Sequence, residues 1–255
     1  MSPRPLLATA LGLLALAGLS ACQSTQSRSA ELEGESANVL LEEDGLEVGK
    51  QDPEITIVST TVLSEKEGSA VVVELHNDSG ENLVDAPISV EVLDAKGKVV
   101  YTNDTPGLEQ ALIAVPFIPA GGDAVWVNDQ VLATGTPKTA RVKVGEGGIP
   151  FSGAQPTIEV SEPKVEGDPV SGLVAEGTVV NRTGEDQNRV VFYAVARRGG
   201  KIVAAGRGAI EHLKPDTKKL FYNVYFIGDP TGADVELSYY PTLEVPGAAP
   251  VEAQG

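Results

Sequence analysis

The chain has 255 residues, 36 acidic side chains against 19 Lys and Arg, and a formal net charge of −17 at pH 7. Such an acidic balance excludes a phosphate-neutralising nucleic-acid binder, which needs clustered cations. The single cysteine excludes a disulfide framework and a Cys-based metal site within this chain.

Residues 1–5 read MSPRP, with one cation, Arg4. Residues 6–19, LLATALGLLALAGL, carry no charge. A membrane-spanning helix needs about 20 apolar residues, so this run has the length of a signal-peptide h-region instead. Ser20 and Ala21 supply the small residues of a cleavage site, and Cys22 follows.

Leu19-Ser20-Ala21-Cys22 resembles the lipobox of bacterial lipoproteins. The resemblance implies cleavage before Cys22 and a diacylglyceryl group on its sulfur, with residues 1–21 removed as signal peptide. It implies a membrane partner reached through that lipid, and a chain facing outside the cytoplasm. Two acyl chains hold a protein stably where one holds it marginally. Without Arg4 the chain would carry 36 acids and 18 bases.

Residues 22–53 hold eight acids and two bases and few bulky apolar side chains. They are expected to form a flexible acidic tether, because they bury too little apolar area to offset ordering. VLLEEDGLEV within this stretch is expected to reach at most a short helix.

From residue 54 short alternating runs rich in Val, Ile, Thr, Tyr and Phe appear between Gly, Pro, Asn and Asp clusters. ITIVSTTVL, AVVVELHN, ISVEVLD, GKVVYT, DAVWVN and ARVKV come first; TIEVSEP, GLVAEGTVVN, RVVFYAVAR, GKIVAAG, KKLFYNVYFI and DVELSYY follow. Period-two alternation and runs of this length predict strands.

The two sets match in order. Asn77 aligns with Asn181, Gly97 with Gly200, Pro119 with Pro215, and Trp126 with Phe221-Tyr222. A period near 100 residues suits whole domains. The fold class is all-β: two tandem immunoglobulin-like β-sandwiches at 54–148 and 156–245, each with its own core, then a disordered tail at 246–255. Trp126 and its counterpart are expected inside the cores. The connection GEGGIPFSGAQP is expected to bend unless Phe151 is buried between the halves.

The order of strand, N-x-[ST]-G, strand, G-K-[VI]-V and Pro plus strand is similar to FxLYD-type and related sandwich domains of bacterial envelope lipoproteins. VEVLDAKGKVV at 90–100 carries most of the likeness, and FYAVARRGGKIV departs from it at Ala194 and Arg197. The motif is a structural turn, so the resemblance implies no catalytic residues and no cofactor.

Candidate chemistry is sparse. His76 and His212 occupy non-equivalent places and read as surface residues. No HExxH, GxSxG or phosphate-loop spacing occurs, so no enzymatic activity is expected. Asp78-Ser79-Gly80-Glu81 and Glu185-Asp186-Gln187-Asn188 are equivalent acidic loops, but without EF-hand spacing; no metal is expected. The sequons at Asn77, Asn103 and Asn181 read as turn chemistry.

One cluster stands out. Arg197, Arg198, Lys201, Arg207, Lys214, Lys218 and Lys219 place seven cations within 23 residues. Charged edge strands that block aggregation explain them, and a docking patch for an anionic partner is the sharper reading. The function expected is a non-catalytic binding or scaffolding role at the cell envelope, with an envelope protein or polymer as partner. The alternatives are a solute- or metal-binding protein with a pocket near 150–156, and an accessory subunit of an envelope enzyme or secretion complex.

Overall fold

A computed structural model of the chain describes residues 46 and 48–243, apart from 67, 154, 169–171, 216–219 and 242. Cys22, the signal-peptide run, the first part of the expected tether and the tail 246–255 lie outside the described residues, as does most of VLLEEDGLEV.

The described fold is all-β. It contains antiparallel strands throughout and one helical turn, α1 (Gln110–Ile113). In the first half β1 (Ile55–Glu65), β2 (Gly68–Asn77) and β6 (Asp123–Asn128) form one sheet in the order β1-β2-β6. The facing sheet is built on β3 (Asn82–Leu93). Strands β4 (Val99–Thr102) and β7 (Thr139–Val144) flank its C-terminal half, and β5 (Ala114–Ile118) and β8 (Ile149–Phe151) its N-terminal half.

The second half repeats this plan. Strands β9 (Ile158–Val160) and β10 (Lys164–Asp168) pair with β11 (Gly172–Asn181), which pairs with β14 (Leu220–Tyr225). Opposite lies β12 (Gln187–Arg198) between β13 (Lys201–Leu213) and β16 (Asp234–Pro241); the short β15 (Ile227–Gly228) adds to β13. Register makes the equivalence residue by residue. Ile55 faces Asn77 as Ile158 faces Asn181. Trp126 faces Val73 and Tyr222 faces Gly177, each partner four residues before its Asn. Both rings are buried, Tyr222 stacking on Phe192 with centroids 5.0 Å apart.

One strand departs from simple alternation. In β12 every residue from Val190 to Ala196 is buried. Val190, Phe192, Ala194 and Ala196 join the core of the second half. Val191, Tyr193 and Val195, with Ala205 of β13, join the core of the first half. A strand buried on both faces reads as a continuous apolar run, and RVVFYAVAR is such a run. The two halves therefore have more than their own cores: their described residues belong to one compact unit, with β13 and β12 against β6 and β13 against β2.

Two local features adjust the expected boundaries. Lys143 Nζ donates to the Val48 carbonyl, Asp52 N to Val144 O, and Gln51 bridges Gly145. The chain from Val48 thus lies along β7, inside the span expected to be tether. Phe151 is half-buried in β8, its ring over Gly153, and Asn82 Nδ2 donates to its carbonyl. The first part of the GEGGIPFSGAQP connection is therefore a strand of the first sandwich, and Phe151 packs on its own connection.

Candidate functional site at the junction of the two halves

The turn residues do what their chemistry allows. Asn77 Oδ1 accepts from Ser79 N and its amide donates to Glu81 O. Asn181 Oδ1 accepts from Thr183 N, and its amide donates to Glu185 O and Leu213 O. Asn103 accepts from Val90 N and donates to Ile88 O and Leu112 O. All three amides are buried and committed, so these sequons are internal caps rather than acceptors of a glycan. In the hairpin after β3, Asp94 Oδ1 accepts from Lys96 N and Lys98 N, while Gly97 has φ 80°, left-handed as at Gly200.

The histidines stay apart. His76 sits between Asp123, 2.6 Å from Nδ1, and Asp78, 3.6 Å from Nε2. The Asp123 hydrogen bond raises its pKa above the ordinary value. His212 is exposed and has φ 55°. Among the described residues no three His, Cys, Asp or Glu side chains are placed to hold a metal ion.

The basic cluster is broken up by the fold. Arg197 Nη2 lies 2.6 Å from Glu74 of β2, and its Nε 3.2 Å from Glu236. Arg198 donates to the carbonyls of Asp229 and Thr231. The Arg207 side chain is only 5% exposed and is held by two first-half acids. Lys201 and Lys214 are exposed; Lys218 and Lys219 lie outside the described residues. Arg197 and Arg207 are therefore spent inside the molecule rather than presented to an anionic partner.

The structure brings together a set that the sequence does not point to. The segment 103–113 between β4 and β5 interrupts a strand that runs unbroken as β13 in the second half. Asn103 pins its base. At its far end Glu109 Oε2 lies 2.7 Å from Arg207 Nη1 and 2.8 Å from Arg189 Nη2. Asp129 Oδ2 accepts from Arg207 N at 2.9 Å, and Oδ1 lies 3.6 Å from Arg207 Nε, which makes no hydrogen bond. Arg189 also meets Glu211 at 3.2 Å.

One turn further on, the Ala111 carbonyl accepts from Trp126 Nε1 at 2.8 Å and from Tyr193 Oη at 3.3 Å. Tyr193 lies against Tyr240, whose hydroxyl donates to Val125 O. Burial raises the Asp129 carboxyl. Burial also works to raise Glu109, but Arg207 and Arg189 outweigh it and hold that carboxyl below its ordinary value. Glycine permits the fit behind this junction: a Cβ at Gly206 or Gly208 would overlap the Tyr225 or Asn223 carbonyl oxygen of β14. The arrangement can join two sandwiches firmly. It holds no nucleophile with an orienting base.

No protein-family model matches the chain, and no curated protein matches it.

Proposed function

We propose that the chain is a lipid-anchored lipoprotein of the bacterial cell envelope, with a non-catalytic scaffolding or binding role. The observation that carries this reading is the uncharged run 6–19 closed by Leu19-Ser20-Ala21-Cys22, with the chain's only thiol at the acceptor position. Two acyl chains on that sulfur would hold the protein in a membrane facing away from the cytoplasm. The acidic residues that follow would keep the folded part off an anionic lipid surface.

The folded part supports a scaffold. Its two sandwiches share a core and two arginine clamps, Arg197 with Glu74 and Arg207 with Glu109 and Asp129. Among the described residues the exposed large apolar side chains are Val58, Leu132, Val165 and Tyr225. Val165 and Tyr225 stand on opposite faces of their sheet, since Glu166 rather than Val165 shares a row with Val174 and Tyr225. The VEVLDAKGKVV turn supports sandwiches of the FxLYD type. An envelope protein or polymer is the partner class this reading implies.

The test is labelling of bacteria expressing the full chain with radioactive palmitate. The wild type takes up label and fractionates with membranes, and Cys22→Ser does neither. A mature N-terminus upstream of Cys22, or label retained by Cys22→Ser, overturns the reading.

A further inference from the structure

We propose that Glu109 is a releasable latch: it is the carboxylate through which the 103–113 segment grips both Arg189 and Arg207, and neutralising it lets that segment lift off β12 and β13. The inference stands on the fold and is independent of the lipid anchor.

The geometry concentrates the grip on one atom. Oε2 of Glu109 receives Arg207 at 2.7 Å and Arg189 at 2.8 Å. Asp129 does a different job. Its best bond is to the backbone N–H of Arg207, at 2.9 Å, and it approaches the guanidinium only at 3.6 Å. Asp129 follows β6 and lies outside the segment, so it cannot hold the segment down. The remaining groups facing the cluster are Glu211, paired with Arg189, and the phenols of Tyr193 and Tyr240.

Glu109 is also reachable from solvent. Its side chain is 41% exposed, against 5% for Arg207. A proton can arrive there without unfolding. Closing the latch holds Glu109 below its ordinary carboxylate value. Its contribution is therefore present above the ordinary Glu range and lost as pH falls through the lowered value. Asp129, raised by burial, works in the opposite sense: it takes its proton at higher pH, and its neutral form favours the folded state. The base of the segment stays on β3 through the Asn103 amide and the Ile88 carbonyl. What moves is the stretch bearing Glu109 and α1, and with it the Ala111 carbonyl, at the cost of the second Asn103 bond, to the Leu112 carbonyl.

That carbonyl supplies the readout. Trp126 is the only tryptophan, fully buried, with its indole N–H on Ala111 O. Lifting the segment uncovers the indole. The experiment follows tryptophan emission and acrylamide quenching of the full chain carrying Cys22→Ser, from pH 7 to pH 3, with far-ultraviolet circular dichroism in parallel. The expected result is a red shift and a rise in quenching below the ordinary Glu range while the sheet spectrum holds.

Glu109→Gln should show the shifted, quenchable state already at pH 7, with segment amides near Ala111 exchanging about tenfold faster, the loss of a charge-assisted bond net of solvent screening. Asp129→Asn should keep the closed emission at pH 7. Arg189→Met with Arg207→Met should abolish the acid response. Wild-type emission and quenching for Glu109→Gln at pH 7 overturn the proposal. Loss of the sheet spectrum together with the emission shift overturns it as well, since that is global unfolding.

Discussion

Trp126 of the first sandwich and Tyr193 of the second donate to one acceptor, the Ala111 carbonyl oxygen, at 2.8 and 3.3 Å. The shared oxygen lies on the short segment that has no counterpart in the repeat. It ties a core residue of one sandwich to a face residue of the other. Removing the Tyr193 hydroxyl leaves the oxygen with its indole partner, so Tyr193→Phe should cost only about 0.5–1.5 kcal/mol. Urea denaturation followed by circular dichroism measures it, and a loss several times larger would mean that the hydroxyl organises the junction.

The same phenol gives an alkaline prediction. Burial pushes Tyr193 well above the ordinary tyrosine value. Its neutral form is favoured in the folded state, so the stability it contributes is present below about pH 10 and lost as pH rises beyond it. Phenolate absorbance should appear for this residue only with unfolding. Tyr193→Phe should move alkaline unfolding to higher pH; no movement would show that another buried phenol controls it.

The paired loop caps make a comparison within one chain. Asn77→Ala strands the Ser79 N–H, while Asn181→Ala strands the Thr183 N–H and removes the amide donor from the Leu213 carbonyl; the Glu81 and Glu185 carbonyls keep the Ser79 and Thr183 hydroxyls. Each buried group left unpaired costs about 1–3 kcal/mol. Both variants should be destabilised, Asn181→Ala the more because its amide also reaches β13. Denaturant midpoints decide the order, and equal or reversed losses would contradict it.

Gly206 and Gly80 test close approach against open space. A Cβ at Gly206 overlaps the Tyr225 carbonyl oxygen, whereas at Gly80 nothing lies within 4 Å. Gly206→Ala forces β13 from β14 and should lose about 1–3 kcal/mol or more, the scale of overpacking. Gly80→Ala should be near neutral in the same thermal melt. Equal melting temperatures for the two variants would refute the packing argument.

His76 should titrate above its ordinary value because Asp123 accepts its hydrogen bond. A raised histidine stabilises the fold below its unfolded pKa, near 6.5, and that contribution disappears as pH rises through the folded value. Nuclear magnetic resonance titration of the ring should show Asp123→Asn bringing the midpoint down. An unchanged midpoint would assign the shift elsewhere.

Much of the fold is written locally. The order of strands, the turns at Asn77, Asp94 and Asn181, and the equivalence of the halves all follow from spacing that a few neighbouring residues impose. Trp126 and Tyr222 are legible as core residues because they occupy matched places in alternating strands. The run RVVFYAVAR was legible in principle too, since seven consecutive buried positions leave no outward face.

The junction was not legible. Arg197 and Arg207 sit among other cations in the chain and read as part of a basic surface. Their counter-charges, Glu74 and Glu109, lie 123 and 98 positions away. Sequence alone determined which residues pleat, turn and repeat, because backbone preference and alternation are short-range properties. Only the tertiary structure decided which face of β12 meets the first sandwich and which arginines are neutralised, because burial and ion pairing depend on what the rest of the chain carries to that spot.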